Sequence, residues 1–489
     1  MRRPAVLVIA LALVGALGGT ASADSHFAAG GTFDARLTGD GEVPPVETGG
    51  SGYVAVEISE DDASIDYRLY VNGLDAVTMA HIHVGAPGEN GPPLVFLLGP
   101  EDPGVTADGL LAEGTVTESD LLPMTGVDTF AQLVELIRTG EAYVNVHTEG
   151  NPNGEIRGQL VPAAFDLAAA LSGADEVPPV ATDGAGLATL TIDPSQESMR
   201  YTLITYGLVD TTMAHIHIGP AGANGPVAVF LFGPDPAGVD VNGILSQGTI
   251  TEADLLPTAG VFDGEMDTLI DHLRAGTAYV NVHTMENPGG EIRGQARGLA
   301  RAEAGTVFTD DDTSVHEEDI ELVAAAGITR GCNPPTNDRY CPADVFTRGQ
   351  AAAFFNRALN LNPGSDDAFT DDDSSVFEGD IDAIAAVGLT VGCNPPANDN
   401  YCPGDSVTRA QWASFVVRAL GLTEGAGVDR FIDDGHSIHE ENINVLAAAG
   451  ITAGCNPPAN DRFCPDDPVS REQAASFLAR ALGWRALDS

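Results

Sequence analysis

Two sets of internal repeats, different in length and in chemistry, dictate what this chain can fold into. The first set has two long copies, residues 33–161 and 165–299. Each carries the same anchors in the same order. They are E-V-P-P-V from Glu42 or Glu176, M-A-H-I-H from Met79 or Met213, and N-G-P from Asn90 or Asn224. D-L-L-P follows from Asp120 or Asp254, then Y-V-N-V-H from Tyr143 or Tyr279, then G-E-I-R-G-Q from Gly154 or Gly290. A fixed order of anchors with diverged sequence between them marks a duplicated structural unit. Residues 53–58, 65–71 and 187–192 alternate apolar and polar side chains as half-buried strands do, between clusters of Gly, Pro, Asn and Asp. One helix is predicted before each Y-V-N-V-H strand, at residues 129–138 and 266–274. Each long copy therefore reads as a mainly antiparallel β-sandwich.

The second set has three shorter copies, starting near Phe308, Phe369 and Phe431. Each runs F-[TI]-D, an S-x-x-E helix start, a short apolar helix, G-[IL]-T-x-G, a cysteine loop and a second helix. Ser314 with Glu317, Ser375 with Glu378 and Ser437 with Glu440 read as capping boxes, with Gly327, Gly388 and Gly450 as helix stops. The second helices open with T-R-G-Q, T-R-A-Q and S-R-E-Q, from Thr347, Thr408 and Ser470. The expected architecture is two antiparallel β-sandwiches followed by an α-helical three-repeat domain, each repeat a helix pair around a stapled loop. The boundaries read as a signal peptide at 1–23, sandwiches at 24–162 and 163–300, and helical repeats at 301–362, 363–424 and 425–489. Residues 297–305 and 362–367 read as linkers.

The signal reading rests on Arg2 and Arg3, an apolar run to Leu17, and Ala21-Ser22-Ala23 before Asp24. No other segment approaches the ~20 apolar residues that span a bilayer. The formal charge is −49, and every one of the 22 basic residues is arginine. Such a chain repels nucleic acid and anionic membranes, which excludes both as partners. The six cysteines pair by spacing: Cys332 with Cys341, Cys393 with Cys402, and Cys455 with Cys464. Each pair lies inside C-N-P-P-x-N-D-x-[YF]-C-P. In an exported chain these read as three local disulfides closing small loops, each worth roughly 2.5–3 kcal/mol by loop-closure entropy. Zinc is the competing reading, but each loop offers only two thiols and no histidine at finger spacing. The aspartate runs at Asp310 and Asp371 lack the residue order of an EF-hand loop and define no calcium site.

The three short copies resemble S-layer homology (SLH) repeats through F-x-D, G-I-T-x-G, the loop ending in C-P, and T-R-x-Q. That resemblance implies a pseudo-threefold helical unit that binds cell-wall polysaccharide and places the protein at the cell surface. It assigns glycan contact to Arg348, Arg409 and Arg471. Gln350, Gln411 and Gln473 stand where the family usually has glutamate, and the disulfide loop is an unusual insertion. A cation in the first turn opposes the helix dipole, so each arginine needs an anionic glycan or an internal carboxylate partner. The two long copies resemble the CHRD domain through A-H-I-H-x-G, N-G-P and Y-V-N-V-H-T-x-x-x-P-x-G-E-I-R-G. This implies an immunoglobulin-like or superoxide-dismutase-like sandwich, with the partner of the sandwiches unknown.

Strand alternation puts Ala80, Ile82 and Val84 on one face and His81 and His83 on the other. In Y-V-N-V-H, His147 shares its face with Tyr143 and Asn145. If the aliphatic faces form the core, the histidines lie on the outer face of the sandwich. His81, His83 and His147, and in the second copy His215, His217 and His283, are then candidate ligands for copper or zinc. The competing reading is a polar network that pins loops such as 85–93 onto the sheet. Copper–zinc superoxide dismutases also carry H-x-H on an outer sandwich face, but a shared fold carries no activity. No fuller ligand set and no catalytic motif accompanies the histidines, so the reading is non-catalytic, with no catalytic residues. Glu155 and Arg157, like Glu291 and Arg293, are expected to pair with neighbours.

Overall fold

A computed structural model describes residues 31–59, 61–123, 126–193, 195–299, 307–362 and 367–485. The signal-peptide reading lies outside them, as does most of the expected linker at 362–367. The chain forms two compact units, divided between Pro162 and Ala163.

The first unit is built from β1 (Gly31–Thr38), β2 (Ser51–Ile58), β3 (Ser64–Val84), β4 (Pro93–Leu98) and β5 (Val105–Thr117). Helix α1 (Phe130–Arg138) follows, then β6 (Ala142–Thr148), β7 (Ile156–Gln159) and β8 (Val161–Pro162). All pairings are antiparallel. The 21-residue β3 is shared between two layers. Its first half pairs with β2 and β5, and its second half with β6 and β4. The switch falls where Gly73 and Ala76 take positive φ and the register with β5 slips. Phe33, Leu37, Val54, Val56, Leu69, Ile82, Val144 and Val146 fill the space between the layers. Thr129 caps α1 by accepting from the Gln132 amide, and Phe130, Leu133, Val134 and Ile137 add its apolar face to that core.

The second unit opens with the same plan. It runs β9 (Asp166–Ser172), β10 (Ala185–Ile192), β11 (Ser198–Tyr206), β12 (Thr211–Ile218), β13 (Val227–Phe232) and β14 (Gly243–Thr251). Helix α2 (Met266–Ala275) precedes β15 (Ala278–Thr284), β16 (Ile292–Gln295) and β17 (Arg297–Gly298). Here the long strand is broken into β11 and β12, with Gly207 and Asp210 at positive φ between them. The expected linker at 297–305 begins inside the sandwich. Strand β17 pairs with β9, and Leu299 is buried with its amide on the Asp166 carbonyl.

Helices α3 (Glu317–Ala325), α4 (Arg348–Leu359), α5 (Glu378–Ala386), α6 (Arg409–Leu420), α7 (Glu440–Ala448) and α8 (Arg471–Ala481) complete the unit. The expected pairing within each repeat is replaced by pairing between repeats: α4 packs on α5, α6 on α7, and α8 returns to α3. A helix pair inside one repeat would leave its second apolar face bare, whereas the cyclic exchange buries all six. At the centre, the Phe346 amide donates to Val469 O, Val469 to Val407 O, and Val407 to Phe346 O, each at 2.9 Å. These bonds close the ring of repeats.

The predicted T-x-x-Q and S-x-x-Q boxes form at Thr347, Thr408 and Ser470. The S-x-x-E boxes do not. His316, Phe377 and His439 are the N-cap residues, and the Ser314, Ser375 and Ser437 hydroxyls accept from those residues' own amides. Gly327, Gly388 and Gly450 follow the first helices at φ of 73°, 75° and 71°, in the left-handed region that favours glycine. The second sandwich and the helices share buried surface through Leu187, Ile204 and Tyr206. Thr189 Oγ1 donates to Leu482 O at 2.8 Å, and Tyr206 OH to Ala419 O at 2.6 Å. This explains why β10 is buried on both faces while β2 has exposed positions.

The disulfides join Cys332 to Cys341, Cys393 to Cys402 and Cys455 to Cys464, each across a sequence separation of nine. The three expected pairings form, and the structure adds one feature to them. Cys341, Cys402 and Cys464 sit at φ of 58°, 59° and 56°, a left-handed corner that the spacing did not foretell. The reason lies in the aspartate runs. Asp310 accepts from the Tyr340 and Cys341 amides at 2.7 and 3.1 Å, while Cys341 O accepts from the Asp344 amide at 3.1 Å. Cys341 is thus fixed by a carboxylate on one side and a turn on the other, besides its sulfur. Asp371 and Asp433 brace Cys402 and Cys464 in the same way.

Replacing Cys393 and Cys402 together by serine is expected to cost roughly 2–3 kcal/mol of unfolding free energy. Urea denaturation followed by fluorescence measures this, because Trp412 and Trp484, the chain's only tryptophans, are both buried in the helical part.

Candidate functional site: the histidine clusters

The outer face carrying the histidines is not open. His81, His83 and His147 are only 4–7% exposed, and every residue of β6 is buried. Ala80 and Ile82 do point into the core, as alternation requires. What the sequence left undecided is the cover. In the β3–β6 ladder Met79 faces His147, His81 faces Asn145, and His83 faces Tyr143. On the next strand Arg157 faces Asn145 and Gln159 faces Tyr143. These polar side chains hold down two loops.

Arg157 lies over the Tyr143 ring, its guanidinium carbon 3.5 Å from the centroid. It donates to Asn90 Oδ1 at 3.0 Å and to Glu89 O at 2.8 Å. Gln159 Nε2 donates to Gly85 O, and the Gly91 amide donates to Tyr143 OH. Asn90 Nδ2 then donates to Val43 O at 2.6 Å, tying the N-G-P loop to the E-V-P-P-V loop. Behind it Asn145 Nδ2 donates to Glu42 Oε2 at 3.3 Å. Burial pushes the Glu42 carboxyl up to about 7, even though Arg157 and Asn145 oppose the shift. Gly154 has φ of +123°, and a Cβ there would sit 2.5 Å from Asn145 Oδ1 and 2.6 Å from Glu42 Oε1. That is why G-E-I-R-G-Q begins with glycine. Of the shared motifs, all but D-L-L-P converge on one enclosed polar cluster.

Inside this lid two of the imidazoles are oriented by backbone carbonyls. His83 Nδ1 sits 3.0 Å from Gly91 O, and His147 Nδ1 sits 3.2 Å from Pro152 O. Such bonds require Nδ1–H and leave Nε2 as a lone-pair donor. His83 Nε2, His147 Nε2 and His81 Nδ1 are all buried without a hydrogen-bond partner. One nitrogen from each ring lies within 4.8 Å of the others. Burial, reinforced by the neighbouring rings, lowers His81 to about 3. His83 is lowered to about 4, burial again being the largest cause. Neutral imidazole, the form that ligates a metal, therefore prevails at ordinary pH.

The second copy repeats this. His217 Nδ1 is 2.9 Å from Gly225 O and His283 Nδ1 3.1 Å from Pro288 O, with His217 Nε2 unpartnered. His215 Nδ1 and His283 Nε2 face each other at 3.1 Å. Arg293 over Tyr279 and on Asn224, Asn224 on Val177 O, and Asn281 on Glu176 rebuild the lid. One nitrogen of each loop-facing ring thus serves the network, and the other points inward. Glu155 accepts from Thr48, Thr148 and Asn151, and Glu291 from Thr182, Thr284 and Asn287. The roles of Glu42, Asn90 and Asn145 were not legible beforehand. Their only signal was recurrence in both copies.

A CHRD-domain family profile matches residues 33–160 and 167–296, more than half of the chain. The chain belongs to the CHRD family. Each CHRD domain contains one histidine cluster. Chordin of Xenopus laevis is 28% identical over 210 residues, 40% of this chain and 20% of that protein. An S-layer protein of Bacillus licheniformis is 30% identical over 184 residues, covering 36% and 20%. Exoglucanase XynX of Acetivibrio thermocellus is 28% identical over 181 residues, covering 35% and 16%. The chain spans about a fifth or less of the length of these relatives.

The three arginines of the helical repeats lie at the seams between repeats and are 3–6% exposed. Arg348 Nε donates to Tyr401 O, Arg409 Nε to Phe463 O and Arg471 Nε to Tyr340 O, each at 2.7 Å. Each guanidinium also lies over the ring of that same aromatic residue, 4.6–4.8 Å from its centroid. These aromatic residues directly precede Cys402, Cys464 and Cys341, so each braced disulfide corner presents the seam to its arginine. The expected internal alternative, a carboxylate ion pair, is replaced by a carbonyl and an aromatic face. Asp405, Asp467 and Asp344 contribute only a longer-range attraction. All six cysteines are committed to disulfides, which leaves no free thiol as a zinc ligand among the described residues.

Proposed function

We propose that this is an exported envelope protein held at the cell wall by its three-repeat helical unit. That unit binds wall polysaccharide, and the CHRD domains are displayed for structural or binding roles without catalysis. The observation that carries this reading is the closed ring of three repeats, with one arginine at each seam, in a chain with S-layer relatives. Three disulfides suit an oxidising compartment. Among the described residues no helix is long and apolar enough to cross a membrane. The overlap with the exoglucanase covers too little of that enzyme to bring its activity here.

Among the described residues, the seam bonds use Nε of all three arginines and Nη2 of Arg409 and Arg471, Arg348 Nη2 being buried without a partner, and they leave Nη1 over. We assign that nitrogen to an anionic substituent of the glycan, while Nε keeps the seam closed. The test is co-sedimentation of the full chain with purified cell walls. Pelleting that disappears when the walls are stripped of polysaccharide is expected. Replacing all three arginines by lysine is expected to weaken it at least tenfold while the tryptophan-monitored fold persists. No pelleting contradicts anchoring, and unchanged pelleting removes the arginines from it.

A second reading is favoured by the inward nitrogens, unpartnered in the first domain and, in the second, unpartnered at His217 with His215 and His283 bonded to each other: each CHRD domain is a receptor for one metal ion. Three imidazoles, two of them oriented from behind by carbonyls, leave an open coordination position.

A further inference from the structure

Resting on that metal reading, we propose that each CHRD domain selects monovalent copper, with Met79 or Met213 supplying a thioether beside the three imidazoles. The first argument is charge. Imidazole ligates as the neutral ring, and among the described residues no carboxylate joins the His81, His83 and His147 cluster. The Arg157 cation is stacked on Tyr143, which in turn stacks on His83 at 4.9 Å. Desolvation cost grows with the square of the charge, so a dication costs about four times what a monocation does. A ligand set without an anionic donor, next to a guanidinium, therefore weighs against Zn²⁺ and favours Cu⁺.

The second argument is softness. In M-A-H-I-H, residues 79, 81 and 83 share one strand face, and Met79 stands directly opposite His147 in the ladder. Met213 stands opposite His283 in the same way. Thioether and imidazole together suit Cu⁺, whereas zinc sites draw on thiolate, imidazole and carboxylate. The third argument is the wall. The Phe96 ring lies 4.4 Å from that of His81, and Phe230 4.3 Å from His215. The 3.1 Å separation of His215 Nδ1 and His283 Nε2 is about the bite of two nitrogens held ~2.0 Å from one ion.

The test uses the full chain, stripped of metal. Cu⁺ is titrated anaerobically against a chromophoric Cu⁺ chelator, and Zn²⁺ against a chromophoric zinc chelator, with circular dichroism as the check on folding. Two Cu⁺ per chain are expected, bound at least 100-fold more tightly than Zn²⁺. The double variant M79L/M213L is expected to lose tenfold or more in Cu⁺ affinity with little change for Zn²⁺. Zinc binding as tight as copper, or unchanged Cu⁺ affinity in M79L/M213L, overturns the selectivity and leaves the metal reading standing. Absence of binding by either ion overturns both.

Discussion

Arg409→Ala will lower the unfolding free energy of the helical repeats by about 3 kcal/mol. The side chain is buried, and its Nε and Nη2 serve Phe463 O and Gly454 O. Truncation leaves two carbonyls dry, each costing about 1–3 kcal/mol, and removes a desolvated cation–π contact worth about 2. Relief of the guanidinium's own desolvation offsets part of this. That desolvation is visible in the lowering of its pKa to about 10. Arg409→Lys should fall between wild type and Arg409→Ala, since an ammonium keeps the charge but loses the fork. Urea unfolding reports the effect through Trp412, which lies in α6 with Arg409. A change below ~1 kcal/mol would show that the seam does not depend on this residue.

Acidification from pH 8 to pH 5 will stabilise the same part of the molecule, against the usual behaviour of a surface carboxylate. Burial is the largest cause in every case here. It raises Asp311 and Asp372 to about 6 and Glu321 to about 7. Asp434 is also raised. Both carboxyl oxygens of each of these residues are enclosed without a hydrogen-bond partner. A carboxyl whose folded pKa exceeds its unfolded one binds protons more tightly when folded. Its contribution is fully present below about pH 4 and is lost as pH rises through 6 to 7. Each such proton is worth about 1.4 kcal/mol per pH unit inside that window. After discounting for solvent screening around so acidic a surface, and for His439 at the N-cap of α7, whose burial-lowered pKa works in the opposite direction, a gain of roughly 2 kcal/mol in tryptophan-monitored unfolding is expected at pH 5 relative to pH 8. Equal stability at the two values would mean that these carboxyls are ionised and solvated.

The repeats, the strand faces, the cysteine pairs and the second-helix caps were readable because each is local. Alternation in A-H-I-H and Y-V-N-V-H, and T-x-x-Q before an apolar run, act within a few residues. The pairing of Cys332 with Cys341 is local too, but the left-handed backbone at Cys341 is not, since Asp310 reaches it from 31 residues away. The S-x-x-E motif misled because a serine hydroxyl bonded to the second amide after it looks, in sequence, like one bonded to the third. The swapped helix pairs were hidden because an apolar stripe does not name its partner. Burial of the histidines depends on Glu42, Asn90 and Arg157, whose hydrogen bonds span 47 to 103 residues and exist only in the folded chain. The D-D-D runs conceal a different asymmetry. Asp310 grips the cysteine corner while Asp311, its neighbour, is fully buried.

The enclosed nitrogens are most directly tested by metal stoichiometry of the full chain, after loading with copper and removal of excess ion. Wild-type protein should retain two ions, His81→Ala/His83→Ala one, and the variant also carrying His215→Ala/His217→Ala none. Fewer than ~0.2 ions per domain in folded wild-type protein, where a three-imidazole site should bind tightly, or retention of two ions by the four-histidine variant, would contradict a metal receptor in each CHRD domain.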